Sequence, residues 1–178
     1  MYMSDVVIVV DMLKGFLEKG NLANPDAKWI VPNIVDLLKR KKEQGWRIFF
    51  LADNHKKNDL EFLAFPEHCV EGTEETDVIN ELSEFVTCCN YIPKTRYSGL
   101  FRTNLESLLE YQKPEEIIIV GVYADICVLY TAAGLRNLDY KVTIPKDCTM
   151  TLGTTDKIIF EHMKDILNVN IVESEKEI

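Results

Sequence analysis

Reactive residue types cluster at or just beyond the ends of apolar runs: Asp11, Asp53 with His55, Lys94, and Cys127. Cys127 has the most informative setting. It follows Val120-Gly121-Val122-Tyr123-Ala124-Asp125-Ile126, where a β-branched run breaks at a glycine. The chain then restarts at helical period through Ile126, Leu129, Tyr130, Ala133 and Leu135. In the first turn of a helix, unpaired N–H groups and the positive end of the dipole favour thiolate, the nucleophilic form of cysteine. Free cysteine is also among the most buried residue types, so packing between helix and sheet is the alternative that position alone leaves open. A second chemistry is written in Asp53-x-His55 followed by His68. One carboxylate and two imidazoles on a single loop form a donor set suited to Zn, Fe or Mn with positions left open. Spacing alone also admits solvated loop histidines.

These residues need elements to bring them together. Strand-like runs recur at Val6–Val10, Arg47–Leu51, Tyr91–Pro93, Ile117–Val120, Lys141–Ile144 and Val169–Val172. Between them lie segments of helical period: Trp29–Lys42, Thr76–Phe85, Thr103–Tyr111, Asp125–Leu138 and Thr155–Leu167, with Gly45 placed to stop the first. Strands alternating with helices predict a three-layer α/β fold, a six-stranded mostly parallel sheet of Rossmann-like type with helices on both faces. In such a sheet ligands bind at the carboxyl ends of the strands, where strand order reverses. Asp11, Asp53/His55, Lys94 and Cys127 follow four successive strands and converge on that edge. Each alone could be a solvated loop residue; the set of four is harder to assign to chance.

Composition narrows the partners. The 178 residues carry 20 Lys and Arg against 29 Asp and Glu, a net charge of −9 that argues against a phosphate-backbone partner. The length suits one domain over residues 1–178. Ile117 to Leu135 reaches the length of a membrane span, but Gly121 and Asp125 interrupt it and its first part is strand-like. The N-terminus has no basic region before its apolar run, which ends at Asp11, so no secretory signal is expected. Cys69, Cys88, Cys89, Cys127 and Cys148 form no CxxC pair and are odd in number, which suits a reducing, cytoplasmic setting. The acidic tail from Glu173 is expected to fray.

Five stretches, taken in order, resemble the isochorismatase-like cysteine hydrolases, and within them the nicotinamidases, over nearly the whole chain. They are Val10-Asp11-Met12 with Phe16 and Gly20, Asp53-Asn54-His55, Phe65-Pro66-Glu67-His68-Cys69 with Gly72-Thr73, Lys94 with Ser98 and Phe101, and Gly121 to Val128. The resemblance implies a catalytic triad of Asp11, Lys94 and Cys127. It also implies a cis peptide between Val122 and Tyr123, with the backbone N–H groups of Tyr123 and Cys127 as an oxyanion hole. Asp11 then takes the thiol proton, the thiolate attacks a carboxamide carbon, and water hydrolyses the resulting thioester after ammonia leaves. Lys94 keeps Asp11 ionised and oriented.

The same resemblance implies that Asp53, His55 and His68 bind a divalent metal, zinc first with iron or manganese as alternatives. Some nicotinamidases add a glutamate seven residues before the last histidine, where Glu61 stands. In that family the metal holds the pyridine nitrogen. Phe16 matches a ring-stacking position, Phe65 stands where many nicotinamidases have tryptophan, and Tyr123, expected with them to bind substrate, replaces a small residue before the cysteine. His162 has no such setting and reads as surface. The implied partner is a small aromatic amide, with no nucleic acid and no membrane, and the apolar helix faces permit a homo-oligomer. Leu13-Lys14-Gly15 and the short loop between His55 and His68 depart from the family pattern and bear on the substrate rather than on the hydrolysis. Another small-amide or enol-ether hydrolase of the superfamily, and a non-catalytic small-molecule binder, are the remaining readings.

Overall fold

The computed structural model describes residues 4–153 and 156–174. Its centre is β1 (Val6–Val10), five β-branched residues that are all fully buried. A strand with no exposed face needs cover on both sides, and alternation supplies two cores. Val7 and Val9 pack with α1 (Lys14–Leu17) and α2 (Val31–Glu43) on one face. Val6, Ile8 and Val10 pack with α3 (Leu105–Gln112), α4 (Cys127–Asn137) and α5 (Asp156–Leu167) on the other. Burying a Val or Ile side chain stabilises by about 1.5–3 kcal/mol, so this one strand anchors both layers.

Parallel partners flank it. β2 (Arg47–Asp53) lies on one side with β3 (Tyr91–Lys94) beyond it, and β4 (Glu116–Val122) lies on the other with β5 (Lys141–Pro145) and β7 (Asn170–Val172) beyond. The chain therefore builds outward from β1 and returns across it to start β4, so the switch point sits between the carboxyl ends of β1 and β4. Among the described residues the expected six strands are seven. β6 (Thr149–Met150) extends the ladder where β5 stops, pairing Gly121 with Thr149 and Val122 with Met150. Two residues are too few to alternate visibly, which is why periodicity does not reveal it.

The helix expected over Thr76–Phe85 is corrected. This stretch holds two 3-10 turns, Glu74–Thr76 and Asn80–Phe85, with an extended break between them. The break is claimed by the loop after β1: Lys14 N–H donates to Asp77 O and Ile79 N–H to Met12 O, at 2.9 and 3.1 Å. Tertiary pairing outweighs local period there, although Ile79, Leu82 and Phe85 still reach the core. Gly45 does end α2, at φ 85° just past the Gln44 cap. The run from Ile117 to Leu135 divides into β4 and α4, and among the described residues no helix is long and apolar enough to cross a membrane. α5 begins at Asp156; its expected start at Thr155 and the tail beyond Ser174 lie outside the described residues.

Candidate active site

Gly121 sets how closely the two central strand ends approach. It pairs with Val10 at φ 109°, and a Cβ there would stand 2.1 Å from Val10 O. With no side chain between them, β1 delivers Asp11 beside the turn that β4 delivers. The turn has the expected cis peptide between Val122 and Tyr123. Ala124 N–H donates to Met150 O at 2.8 Å, and the N–H groups of Ile126 and Val128 donate to Tyr123 O at 3.0 and 3.1 Å. The amides of Tyr123 and Cys127 are not used in these bonds. Cys127 opens α4 at its first residue and is 6% exposed.

Lys94, the last residue of β3, ties the site together. Its Nζ lies 2.8 Å from Asp11 Oδ2, donates to Asp53 Oδ1 at 2.5 Å, and donates to Cys127 Sγ at 3.4 Å. Asp11 is aimed by φ 52°, a left-handed conformation that aspartate adopts more readily than most residues. Its Oδ1 accepts from Asp53 N–H at 2.9 Å, while Oδ2 has an ion-pair contact and no hydrogen bond. Oδ2 is thus free to take a proton.

Electrostatics follow from burial. Burial and the neighbouring Asp53 carboxylate push Asp11 up to about 6 against the pull of Lys94. Burial would also raise Asp53, but Lys94 and the two imidazoles hold it well below the usual carboxylate range. For Lys94 burial favours the neutral amine; Asp11 and Asp53 outweigh it and keep the ammonium well above its ordinary range. Burial pushes the Cys127 thiol well up, Lys94 pulls it down, and Asp11 and Asp53 push it up again. The helix start is expected to favour thiolate; burial outweighs that pull, and the net shift favours a thiol beside a carboxylate base. Burial in low dielectric outweighs a dipole that acts only over the first turn.

The metal-ligand expectation becomes a cluster. One donor atom each of Asp53, His55, Glu61 and His68 lies within 4.8 Å of every other, and all four residues are buried. The Nε2 atoms of both histidines are 3.7 Å from Asp53 Oδ2, and His55 Nε2 is 3.9 Å from Glu61 Oε1. His68 Nδ1 donates to Pro66 O at 2.7 Å, which leaves Nε2 with a free lone pair. Both His55 ring nitrogens and Glu61 Oε2 are buried without a hydrogen bond. Buried polar atoms are rarely left unsatisfied, and two imidazoles with two carboxylates fit a divalent cation. The residues present therefore fit the metal that the resemblance implies. Asp53 belongs to both groups, one oxygen toward Lys94 and the other toward the histidines.

A cleft of about 390 Å³, its open mouth included, joins the two chemistries. Asp11, Cys127, Asp53, Glu61 and His68 reach its wall, as do Phe16, Phe65 and Tyr123. Lys94 and His55 are fully buried and do not line it. Phe16 is 5.6 Å from the His68 ring and 6.0 Å, edge-on, from Tyr123. Two residues of the site escaped the sequence reading. Tyr97 lines the cleft and meets Phe65 edge-on at 6.3 Å. Asp59 stands 3.4 Å from His55 Nδ1 and is itself held by Arg96 and by the Glu61 amide, each at 2.9 Å. A carboxylate four residues after a candidate ligand histidine was the available signal. His162 is exposed, as expected.

Known proteins share this arrangement of fold and chain. The isochorismatase domain family matches residues 5–172. The isochorismatase family protein PncA of Bacillus subtilis is 30% identical over 162 residues, covering 85% of this chain and 88% of its own. The pyrazinamidase of Pyrococcus horikoshii in complex with zinc superposes with a TM-score of 0.87 at 27% identity, over 96% of this chain and 99% of that one. The N-carbamoylsarcosine amidase of Thermoplasma acidophilum does so with a TM-score of 0.87 at 25% identity, over 99% of both. With a matched region that runs from just before β1 to the end of β7, the chain belongs to the isochorismatase family of hydrolases.

Proposed function

We propose that the protein is a metal-dependent cysteine amidohydrolase that converts nicotinamide, or a close heteroaromatic carboxamide, to the acid and ammonia. The observation that carries this reading is Asp53, which links a Lys94–Asp11–Cys127 cluster to a four-residue cation site on one aromatic-lined cleft. Asp11 Oδ2 accepts the thiol proton as Sγ attacks the carboxamide carbon. The Lys94 ammonium stabilises both anions and keeps Asp11 in place. The Tyr123 and Cys127 amides donate to the oxyanion of the tetrahedral adduct. Asp11 returns its proton to the departing ammonia, and water enters to hydrolyse the thioester.

Asp53, His55, His68 and Glu61 are the residues that would hold the cation, zinc or otherwise iron or manganese. It would supply a Lewis-acidic site for a ring nitrogen. Phe16, Phe65 and Tyr123 line the cleft and would pack against and orient a flat ring. Support for a ring-bearing substrate comes from those aromatics and from the zinc-bound pyrazinamidase among the structural relatives. The fully parallel sheet under both core layers fits a single domain, and an odd number of cysteines with no CxxC pair fits a reducing, cytoplasmic setting.

The test is metal content and ammonia release on protein purified without chelator, with nicotinamide, pyrazinamide and N-carbamoylsarcosine as substrates. Expected are one metal per chain and turnover of the two ring amides. Turnover of N-carbamoylsarcosine alone, or a metal-free protein that ignores both ring amides, refutes the assignment.

A further inference from the structure

The turn that leads into β3 carries two consecutive cysteines, Cys88 and Cys89, both exposed and with no part in the proposed hydrolysis. Their sulfurs lie 3.4 Å apart. The turn is braced. Thr87 N–H donates to Asn90 Oδ1 at 2.6 Å, and Asn90 Nδ2 donates to Ile48 O and Phe85 O at 3.1 and 2.9 Å. Asn90 O accepts from Phe50 N–H of β2 at 2.8 Å. The thiols are thus mounted on a turn tied to the sheet.

Two thiols this close can bond to each other or share a ligand. Consecutive Cα atoms across a trans peptide are about 3.8 Å apart, whereas disulfides usually span about 4.4–6.8 Å. Closing this pair on itself strains the backbone, and strained disulfides are easily reduced. A single bridging atom relieves that constraint. With thiolate bonds of about 2.3 Å, sulfurs 3.4 Å apart subtend an angle of about 95° at the bridging atom. Tetrahedral zinc would spread them to about 3.8 Å, and a linear two-coordinate ion to about 4.6 Å. Zinc would also need further protein donors, and among the described residues no third His, Cys, Asp or Glu joins the pair. A near-right angle with two sulfurs is the geometry of a pyramidal trivalent centre.

We propose that Cys88 and Cys89 form a chelating dithiol site for trivalent arsenic or antimony, separate from the active site. With an arsenical oxide, two As–S bonds form, and the oxide oxygen leaves as water with the two thiol protons. No element changes oxidation state, so no oxidant is required.

The experiment titrates the reduced full-length protein with phenylarsine oxide in excess 2-mercaptoethanol, a monothiol that reverses single-thiol adducts, and reads intact mass. One adduct per chain is expected, released by the dithiol dimercaptopropanol. Cys88→Ser and Cys89→Ser should each weaken binding by about 100-fold or more, because the second contact is then lost. Cys127→Ser should keep the adduct. A cooperative melting curve like that of the wild type reports that both serine variants are folded. Tight binding retained in either of them, an adduct that depends on Cys127, or no adduct on the wild type overturns the proposal. A pair recovered by peptide mapping as the 88–89 disulfide under these reducing conditions does the same.

Discussion

Replacing Lys94 by methionine keeps most of the length of the side chain and removes the ammonium that pairs with both buried carboxylates. Nζ lies 2.8 Å from Asp11 and 2.5 Å from Asp53, and both carboxylates are almost fully buried. At an effective dielectric near 20, each contact is worth roughly 6 kcal/mol of attraction. Most of that offsets the cost of keeping three charges out of water. What remains when one partner of a buried network is removed is a loss of about 3–5 kcal/mol, a fall in Tm of about 6–20 °C for a chain of this length.

The loss should depend on pH in a set direction. Asp53 is held well below the usual carboxylate range, so its contribution is present above the unfolded value near 4 and is lost as pH falls through the folded one. The variant lacks that contribution, and its orphaned carboxylates relieve their cost by taking up protons. The gap between the two proteins is therefore full at pH 7; it narrows between pH 7 and pH 4.5 through proton uptake by the variant's carboxylates, and further below pH 4 as the Asp53 contribution is lost. Urea unfolding of chelator-treated wild type and Lys94→Met at pH 7 and pH 4.5 measures it. A gap under about 1 kcal/mol at pH 7 would refute the reasoning, since values near that belong to surface pairs. So would a gap that widens on acidification.

Three further outcomes are expected. Cys127→Ser should lower ammonia release by about 10³-fold or more with the fold and metal content intact, because a serine hydroxyl beside a carboxylate is a far weaker nucleophile. Wild-type turnover would remove the assigned role. Asp59→Ala should weaken cation binding about 10–100-fold by removing the oxygen that faces His55 Nδ1 at 3.4 Å, whereas Asp59→Asn, which keeps an oxygen able to face that nitrogen, should retain most of it. Competition with a metal indicator reads both, and equal losses in the two variants would contradict a positioning role. Gly121→Ala should destabilise by about 3 kcal/mol or more, since its Cβ would strike Val10 O at 2.1 Å in a conformation that L side chains rarely adopt. A melting curve unchanged from wild type would show that β1 and β4 can separate without cost.

Much of this architecture was written locally. β1 and β4 are continuous β-branched runs, and the helices that cover them carry apolar residues at their own period, so element type and the parallel sheet followed from pattern. Reactive residues at four strand ends then pointed to one edge, because parallel strands in a doubly wound sheet present their carboxyl ends together. Pattern was less informative where a short stretch answers to distant partners. β6 exists because Gly121 and Val122 offer an unpaired ladder, and residues 74–85 break into 3-10 turns because the loop after β1 takes their backbone groups.

What residue type and order determined was which groups could react: a thiol at a helix start, a carboxylate and an ammonium at strand ends, and imidazoles on one loop. Their protonation was decided only in three dimensions. A thiol pushed up and an aspartate raised to about 6 arise from burial and the Asp53 carboxylate, against the pull of Lys94, groups brought together across β1, β2, β3 and α4. Charge in a buried site depends on distances of a few ångströms and on the exclusion of water. Both belong to the packed chain and to no single segment of it.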